Sequence, residues 1–535
     1  MSALSRAASA LAGRWLGLPA PRCRVVRCDE WIRLPGGERL AARVFRPDGA
    51  PVRATLVARS VAPVHGRHPT TGLARLLAEQ GHSVVVVGCR GLHGSEGRFE
   101  PFVADGADGA EAVEWVAKQP WCAGPLALAG LGYAGHAAWA TLAAARRPID
   151  GLLVGFAARD AWAWLHRGGA LRLETTFQLA LAVAAGEPEG ARVHDLARAL
   201  AHRPLLEADR VASRRVDWLR DWLAHPTRDD FWEARAPALP GRPPATLLFG
   251  SWSHDTLPAL LLDHAALGAA AEQTGSPPPR LLIGPAEGDG RGRLRADGGR
   301  PARFAAEATR AACDHLAALA DRGTPRGAAV RAFVAGVGWR EAAGFPPSDA
   351  ERVLHLTGCG RDPDGGRLGE EGEDATEARD RYLYDPADAR PSGSEGSERG
   401  DGLRYLGEPL PRALEIAGAP TLELTAESSA ARTDFTAELL RVDDDGQARR
   451  IAFGIARTRF DTPGPARVTV ALSPLWLRLR AGERLRLDVS SSSHPDFDRH
   501  PNTDAPPAGA GDTDGVVASQ TLHRAGCRLR LPVAG

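Results

Sequence analysis

Hydrophobic and polar positions follow two different periods along this chain, and the change from one to the other divides it. Residues 36–47, Gly-Gly-Glu-Arg-Leu-Ala-Ala-Arg-Val-Phe-Arg-Pro, alternate as a hairpin does, and the β-branched run Ser83-Val84-Val85-Val86-Val87 predicts a buried strand. An amphipathic helix is predicted over Asp108–Val116. A short apolar run, Leu126–Ala129, follows it, and then an Ala-rich helix from His136 to Ala145. This strand–helix alternation, which implies a mainly parallel sheet, runs to about Phe156. From Asp160 to Glu233 the pattern is wholly helical and rich in tryptophan, as in Asp217-Trp218-Leu219-Arg220-Asp221-Trp222-Leu223, and predicts a helical insertion. Strand patterns resume at Ala245–Gly250 and Arg280–Pro285, with a helix from about Pro301 to Ala320. Past Arg326 short strands and turns predict an all-β module, interrupted by Gly- and charge-rich stretches at Gly358–Arg381 and Pro391–Gly402 that are expected to be long solvated loops.

Between the apolar run at Leu126–Ala129 and the helix after it lies Gly130-Leu131-Gly132-Tyr133-Ala134-Gly135. Strand, tight glycine turn and helix is the geometry that lifts a serine oxygen clear of the sheet in α/β-hydrolases, and small flanking residues are needed because the turn is strained. Here the position that would carry the nucleophile is Gly132.

Composition narrows the picture. The 535 residues are enough for two or three domains, 44% hydrophobic and 25% charged content is that of globular material, and 66 basic residues balance 66 acidic ones. With no net charge there is no basic footprint for nucleic acid. No stretch is long and apolar enough to predict a membrane span, and the Arg-bearing, acid-free opening through Arg14 predicts a short amphipathic helix, with a transit peptide as the alternative reading. Seven scattered cysteines include Cys23 and Cys28 but no second pair, so no zinc pattern and no cofactor is predicted, and a reduced, cytoplasmic protein is expected.

Several stretches together resemble the X-Pro dipeptidyl-peptidase and cocaine-esterase family (CocE/NonD). They are Arg90-Gly91 with Gly94-Ser95-Glu96-Gly97-Arg98-Phe99; Asp108–Trp115 with Gln119-Pro120-Trp121 and Gly124; and His225–Trp232. Val334–Arg340, Tyr384–Asp388, Thr433–Leu439 with Asp445-Gly446, and Ala481–Leu487 through Pro495–Asp498 to Pro501-Asn502-Thr503 continue the match in family order. The resemblance implies an α/β fold: an α/β-hydrolase core (25–324) after an N-terminal extension (1–24), a helical cap inserted at 157–238, and a C-terminal β-sandwich jelly roll of galactose-binding-like type (325–535).

It also implies a serine triad, and here this chain departs. The family serine falls at Gly132, its aspartate at His254 or, with a one-residue slip, at Asp255, its histidine at Gly288, and its oxyanion tyrosine at Ala62. The backbone N–H of Tyr133 is the expected surviving oxyanion donor. His136, His254, Asp255 and Asp289 are the candidate pocket residues; no metal-ligand spacing joins them. Ser95 lacks the glycine two residues before it, Cys89 and Cys122 lack a histidine at motif spacing, and all three are expected to be structural, as are the cap tryptophans and Ser490–His494. The expectation is therefore a degenerate hydrolase keeping a pocket for an acyl, ester or peptide-like ligand or a protein partner. The alternative is an active hydrolase of ester, amide or X-Pro peptide bonds working through recruited groups. The sequence says nothing of oligomeric state.

Overall fold

A computed structural model describes residues 13–65, 69–185, 195–212, 215–285, 301–323, 327–347, 350–362, 365–372, 378–393 and 399–534. Its first sheet has ten strands: β1 Arg24–Arg33, β2 Arg39–Asp48, β3 Thr55–Ser60, β4 Ser83–Gly88, β5 Leu126–Leu131, β6 Gly151–Gly155, β7 Ala245–Ser251, β8 Arg280–Gly284, β9 Val330–Val334 and β10 Gly338–Ala342. They lie in the order β1-β2-β4-β3-β5-β6-β7-β8-β9-β10. The strands from β4 to β9 in that order pair in parallel, while β1, β2 and β10 are antiparallel at the two edges. The central strands carry Val, Leu and Ala on both faces because helices cover both sides. The crossover helices that bear on the site are α1 Asp105–Ala117 and α2 Tyr133–Ala144, packed against each other where Gly109 admits Thr141.

The sheet does not end near residue 325. Strands β9 and β10, which the pattern past Arg326 assigns to the β module, extend the core sheet, because Val330, Ala332 and Val334 have a parallel partner in β8. Their alternation is that of any half-covered strand, so the pattern carries no record of which sheet receives them.

Between β6 and β7 the chain forms the cap: helices Ala161–Leu165, Leu173–Ala184, Leu196–Ala201, Asp217–Ala224 and Asp230–Glu233. Its core is aromatic, with Trp164, Trp222, Trp232 and Phe177 buried and Trp218 packed on Trp222 at 4.8 Å between ring centroids. The cap is not wholly helical. A small hairpin pairs His166–Arg167 with Ala170–Leu171, turned by Gly168 and Gly169 in left-handed conformations (φ 53° and 85°). A Cβ on Gly168 would overlap the Ile455 carbonyl, and the Gly168 carbonyl accepts the Arg457 N–H at 2.7 Å. This turn exists to meet another domain, which no local period can encode.

The remaining chain is a β-rich domain whose second sheet is built around the long hairpin of Arg432–Val442 with Ala448–Arg459, flanked by Arg484–Ser490. Two parts of the Gly358–Arg381 stretch read from sequence as loop are in strands: Gly366–Gly369, and Arg379–Arg381 at the start of the strand Arg379–Tyr384. In the latter, Asp380, Tyr382 and Tyr384 point inward, and buried Asp380 is tolerated because Arg524 (2.7 Å) and Tyr405 (2.6 Å) donate to it. Charge density marked this segment as loop, whereas ion pairing lets it enter a sheet. The rest of Gly358–Arg381, like Pro391–Gly402, lies partly outside the described residues.

Candidate functional site: the turn at Gly132 and a cavity between the domains

Strand β5 delivers the chain to the turn and α2 begins immediately after it. Gly132 stands between them at φ 57°, ψ −132°, a conformation that side-chain-bearing residues rarely adopt. Its N–H donates to the Gly155 carbonyl at 2.9 Å, and its carbonyl accepts from Gly135 at 2.8 Å. The neighbouring glycines are steric necessities: a Cβ on Gly130 would overlap Ala134, and one on Gly135 would stand 2.7 Å from the Ala157 Cβ. The fold has thus kept the small residues a tight strand-to-helix turn demands.

Strain gathers around this turn. His93, Phe102 and Phe156 all have positive φ (48°, 67° and 54°). His93 Nε2 lies 3.0 Å from the Val61 carbonyl, Phe102 packs on Tyr133 at 5.3 Å between centroids, and Phe156 directly follows the Gly155 carbonyl that holds Gly132. Bulky residues in left-handed backbone cost on the order of 1–3 kcal/mol each and persist only where their surroundings hold them.

Tyr133, the first residue of α2, is fully buried. Its hydroxyl donates to Asp105 Oδ2 at 2.6 Å and accepts the Phe102 N–H at 2.8 Å; burial, the Asp105 charge and this hydrogen bond hold the phenol well above its ordinary range. Beneath it Arg59, 2% exposed, stands 3.6 Å from Asp108. Arg90 pairs with the same carboxylate at 2.5 Å.

The candidates reach different surroundings. His136 is fully buried, with Nδ1 3.3 Å from the Ala158 carbonyl and an edge contact to Phe102; burial lowers its pKa. His254 lies on the loop after β7, with Nδ1 2.8 Å from Thr256 Oγ1 and its ring 5.0 Å from Phe156; burial lowers its pKa too. Asp255 turns toward the cap, 3.2 Å from Arg172 Nη1, and accepts the Thr175 hydroxyl at 2.8 Å. Gly288 and Asp289 lie outside the described residues. Among the described residues no cluster of three His, Cys, Asp or Glu side chains could hold a metal ion.

The other nucleophile candidates serve the framework. Ser95 Oγ accepts the Ala41 N–H and donates to the Gly88 carbonyl. The Cys89 thiol is pushed up to about 12, chiefly by burial. In the serine run, Ser490 bonds Thr436, Ser491 bonds Tyr382 and Ser492 accepts the Arg390 N–H. Burial lowers the pKa of His494 to about 4.

A cavity of about 380 Å³ opens where core, cap and β-rich domain meet. Asp255 is on its wall, with Trp252 and Ser253 from the same loop; none of residues 130–136 is. Arg167 and Arg172 of the cap and Arg450 of the β-rich domain also line it. These arginines were not found from sequence, since they are separated by up to hundreds of residues and no motif links them.

Residues 36–287 match the family described as X-Pro dipeptidyl-peptidase (S15 family), and residues 322–528 match the X-Pro dipeptidyl-peptidase C-terminal non-catalytic domain. The chain belongs to the X-Pro dipeptidyl-peptidase and cocaine-esterase family. Among curated proteins, the cocaine esterase of Rhodococcus sp. (strain MB1 Bresler) is 29% identical over an alignment covering 93% of this chain and 94% of that protein. Among solved structures, an α-amino acid ester hydrolase superposes with a TM-score of 0.79 at 20% identity, covering 97% of this chain and 98% of the other. An aminopeptidase from a marine-sediment Thaumarchaeota archaeon gives 0.77, also at 20% identity, with coverage of 97% and 98%. This family's α/β-hydrolase core followed by a β-rich domain is the architecture described above.

Proposed function

We propose that this chain keeps the hydrolase scaffold as a ligand-binding protein and does not carry out serine acyl transfer. The observation that supports this most directly is Gly132, which occupies the strained strand-to-helix turn with hydrogen atoms alone where the family places a serine. Acyl transfer of this type needs an oxygen nucleophile, a base to take its proton and a carboxylate to orient the base. Loss of the serine or the base alone typically removes about 10⁶-fold in turnover.

Recruited groups do not fill the role well. Cys89 stays a thiol at neutral pH, His136 is fully buried with Nδ1 on the Ala158 carbonyl, and Asp255 is held by Arg172 and Thr175. What supports binding is the retained strained framework and the cavity between the three layers, which suits an acyl, ester or peptide-like ligand in size.

Fluorophosphonate labelling of the purified protein, read by intact mass beside a Gly132→Ser variant, tests the reading. The native chain is expected to stay unlabelled. A mass increase on the native chain would show an activated hydroxyl and overturn the proposal. Labelling of the variant alone would show that a base still reaches the turn.

A further inference from the structure

The cavity between the three layers has a polar end with an unusual balance of charge. Arg172 and Arg450, 3% and 7% exposed, are matched by carboxylates: Asp255 lies 3.2 Å from Arg172, while Glu438 and Asp496 lie 3.1 and 3.6 Å from Arg450. Arg167 has only neutral partners among the described residues, the Ser473 hydroxyl at 3.0 Å and the Ala471 carbonyl at 3.3 Å. A guanidinium carries five N–H groups in a fixed fork, so donors remain after those two bonds. Arg167 is partly exposed, and its enclosure in the cavity wall together with the neighbouring Arg172 and Arg450 charges disfavours its cation more than Asp255 relieves it.

An anion beside Arg167 would relieve that cost with charge-assisted hydrogen bonds. The cavity wall also carries aromatic side chains, Trp252, Phe333, Phe453 and Phe497. The indole N–H of Trp252 is spent on the Phe333 carbonyl at 2.6 Å, so that ring presents a hydrophobic face. Glu174 also lines the cavity and, with Asp255 and Asp496, opposes a second negative charge on any occupant.

We propose that this cavity binds a small organic monoacid, its carboxylate on Arg167 and its apolar body against Trp252, Phe333, Phe453 and Phe497. The proposal deepens the binding role argued above by naming a ligand class.

Titration calorimetry of the full chain with phenylacetate and with its neutral amide, phenylacetamide, tests it. The acid is expected to bind saturably and the amide about tenfold or more weaker, because only the acid meets the guanidinium as an ion. Arg167→Gln is expected to abolish that preference, whereas Arg98→Gln, at a side chain 74% exposed, leaves it intact. Equal affinities, no binding of either at millimolar concentration, or a surviving acid preference in a natively melting Arg167→Gln protein would overturn the inference. If Arg167→Gln fails to fold, the acid–amide comparison on the native chain decides alone. Fluorophosphonate labelling of the native chain would sink the non-catalytic reading without touching the acid–amide difference, so the two fail separately.

Discussion

At the scale of single residues, the turn at Gly132 is held by close backbone contacts and by buried hydrogen-bond partners. Gly130 and Gly135 are dictated by backbone and side-chain neighbours, and Tyr133 is tied to Asp105 and the Phe102 N–H. Tyr133→Phe is therefore expected to cost about 1–3 kcal/mol, since it strands a buried N–H and a carboxylate together; urea unfolding of the variant against the native chain measures it. A loss under about 0.5 kcal/mol would mean that water replaces the hydroxyl. The glycines and the strand–helix frame around them were legible in the sequence. That His136, His254 and Asp255 face separate partners was not, because each side chain's direction depends on residues distant in the chain.

At the scale of elements, the cap hairpin is one of the contacts that join cap to β-rich domain. Besides the Gly168–Arg457 bond, the Leu171 N–H donates to Asp498 Oδ1 at 2.9 Å, and Arg457 bridges Asp434 and Asp498 at 2.8 and 2.9 Å. Gly168→Ala, with φ at 53° and Ile455 in the way, is expected to lower stability by about 2–3 kcal/mol. Gly268→Ala makes the contrast: it lies inside the helix Leu257–Thr274 with no atom within 4 Å of an added Cβ, so it is expected to stabilise by about 0.5–1 kcal/mol. Paired melting curves check both, and equal effects at the two sites would refute the docking argument. The hydrophobic period marked the cap helices but not this hairpin, whose two-residue strands are too short to hold any period.

At the scale of the whole molecule, buried histidines set the response to acid. Burial, foremost, lowers His82, His315 and His494 to about 4 and His166 and His500 to about 3, from an ordinary 6.5. As pH falls through 6.5 the unfolded chain takes up these protons and the folded chain does not, so stability falls from about pH 6.5 down toward pH 4. Asp263, raised to about 6 mainly by burial, acts oppositely between pH 4 and 6, but it is one group against five. The melting temperature is expected to drop steadily from pH 7 to pH 5; a flat profile over that range would contradict the burial of these rings.

What the sequence determined by itself is what depends on neighbours in the chain: the strand and helix periods, the tight glycine turn at Gly132, the helical character of the cap and the family-like order of motifs. The tertiary structure alone decided which sheet received β9 and β10, that charged segments such as Arg379–Tyr384 become strands, and that Arg167, Arg172 and Arg450 meet around one cavity. Periodicity is a local property of a chain. Sheet partners, ion pairs and cavity walls are made by residues tens to hundreds of positions apart, and their energies are set only when the domains pack.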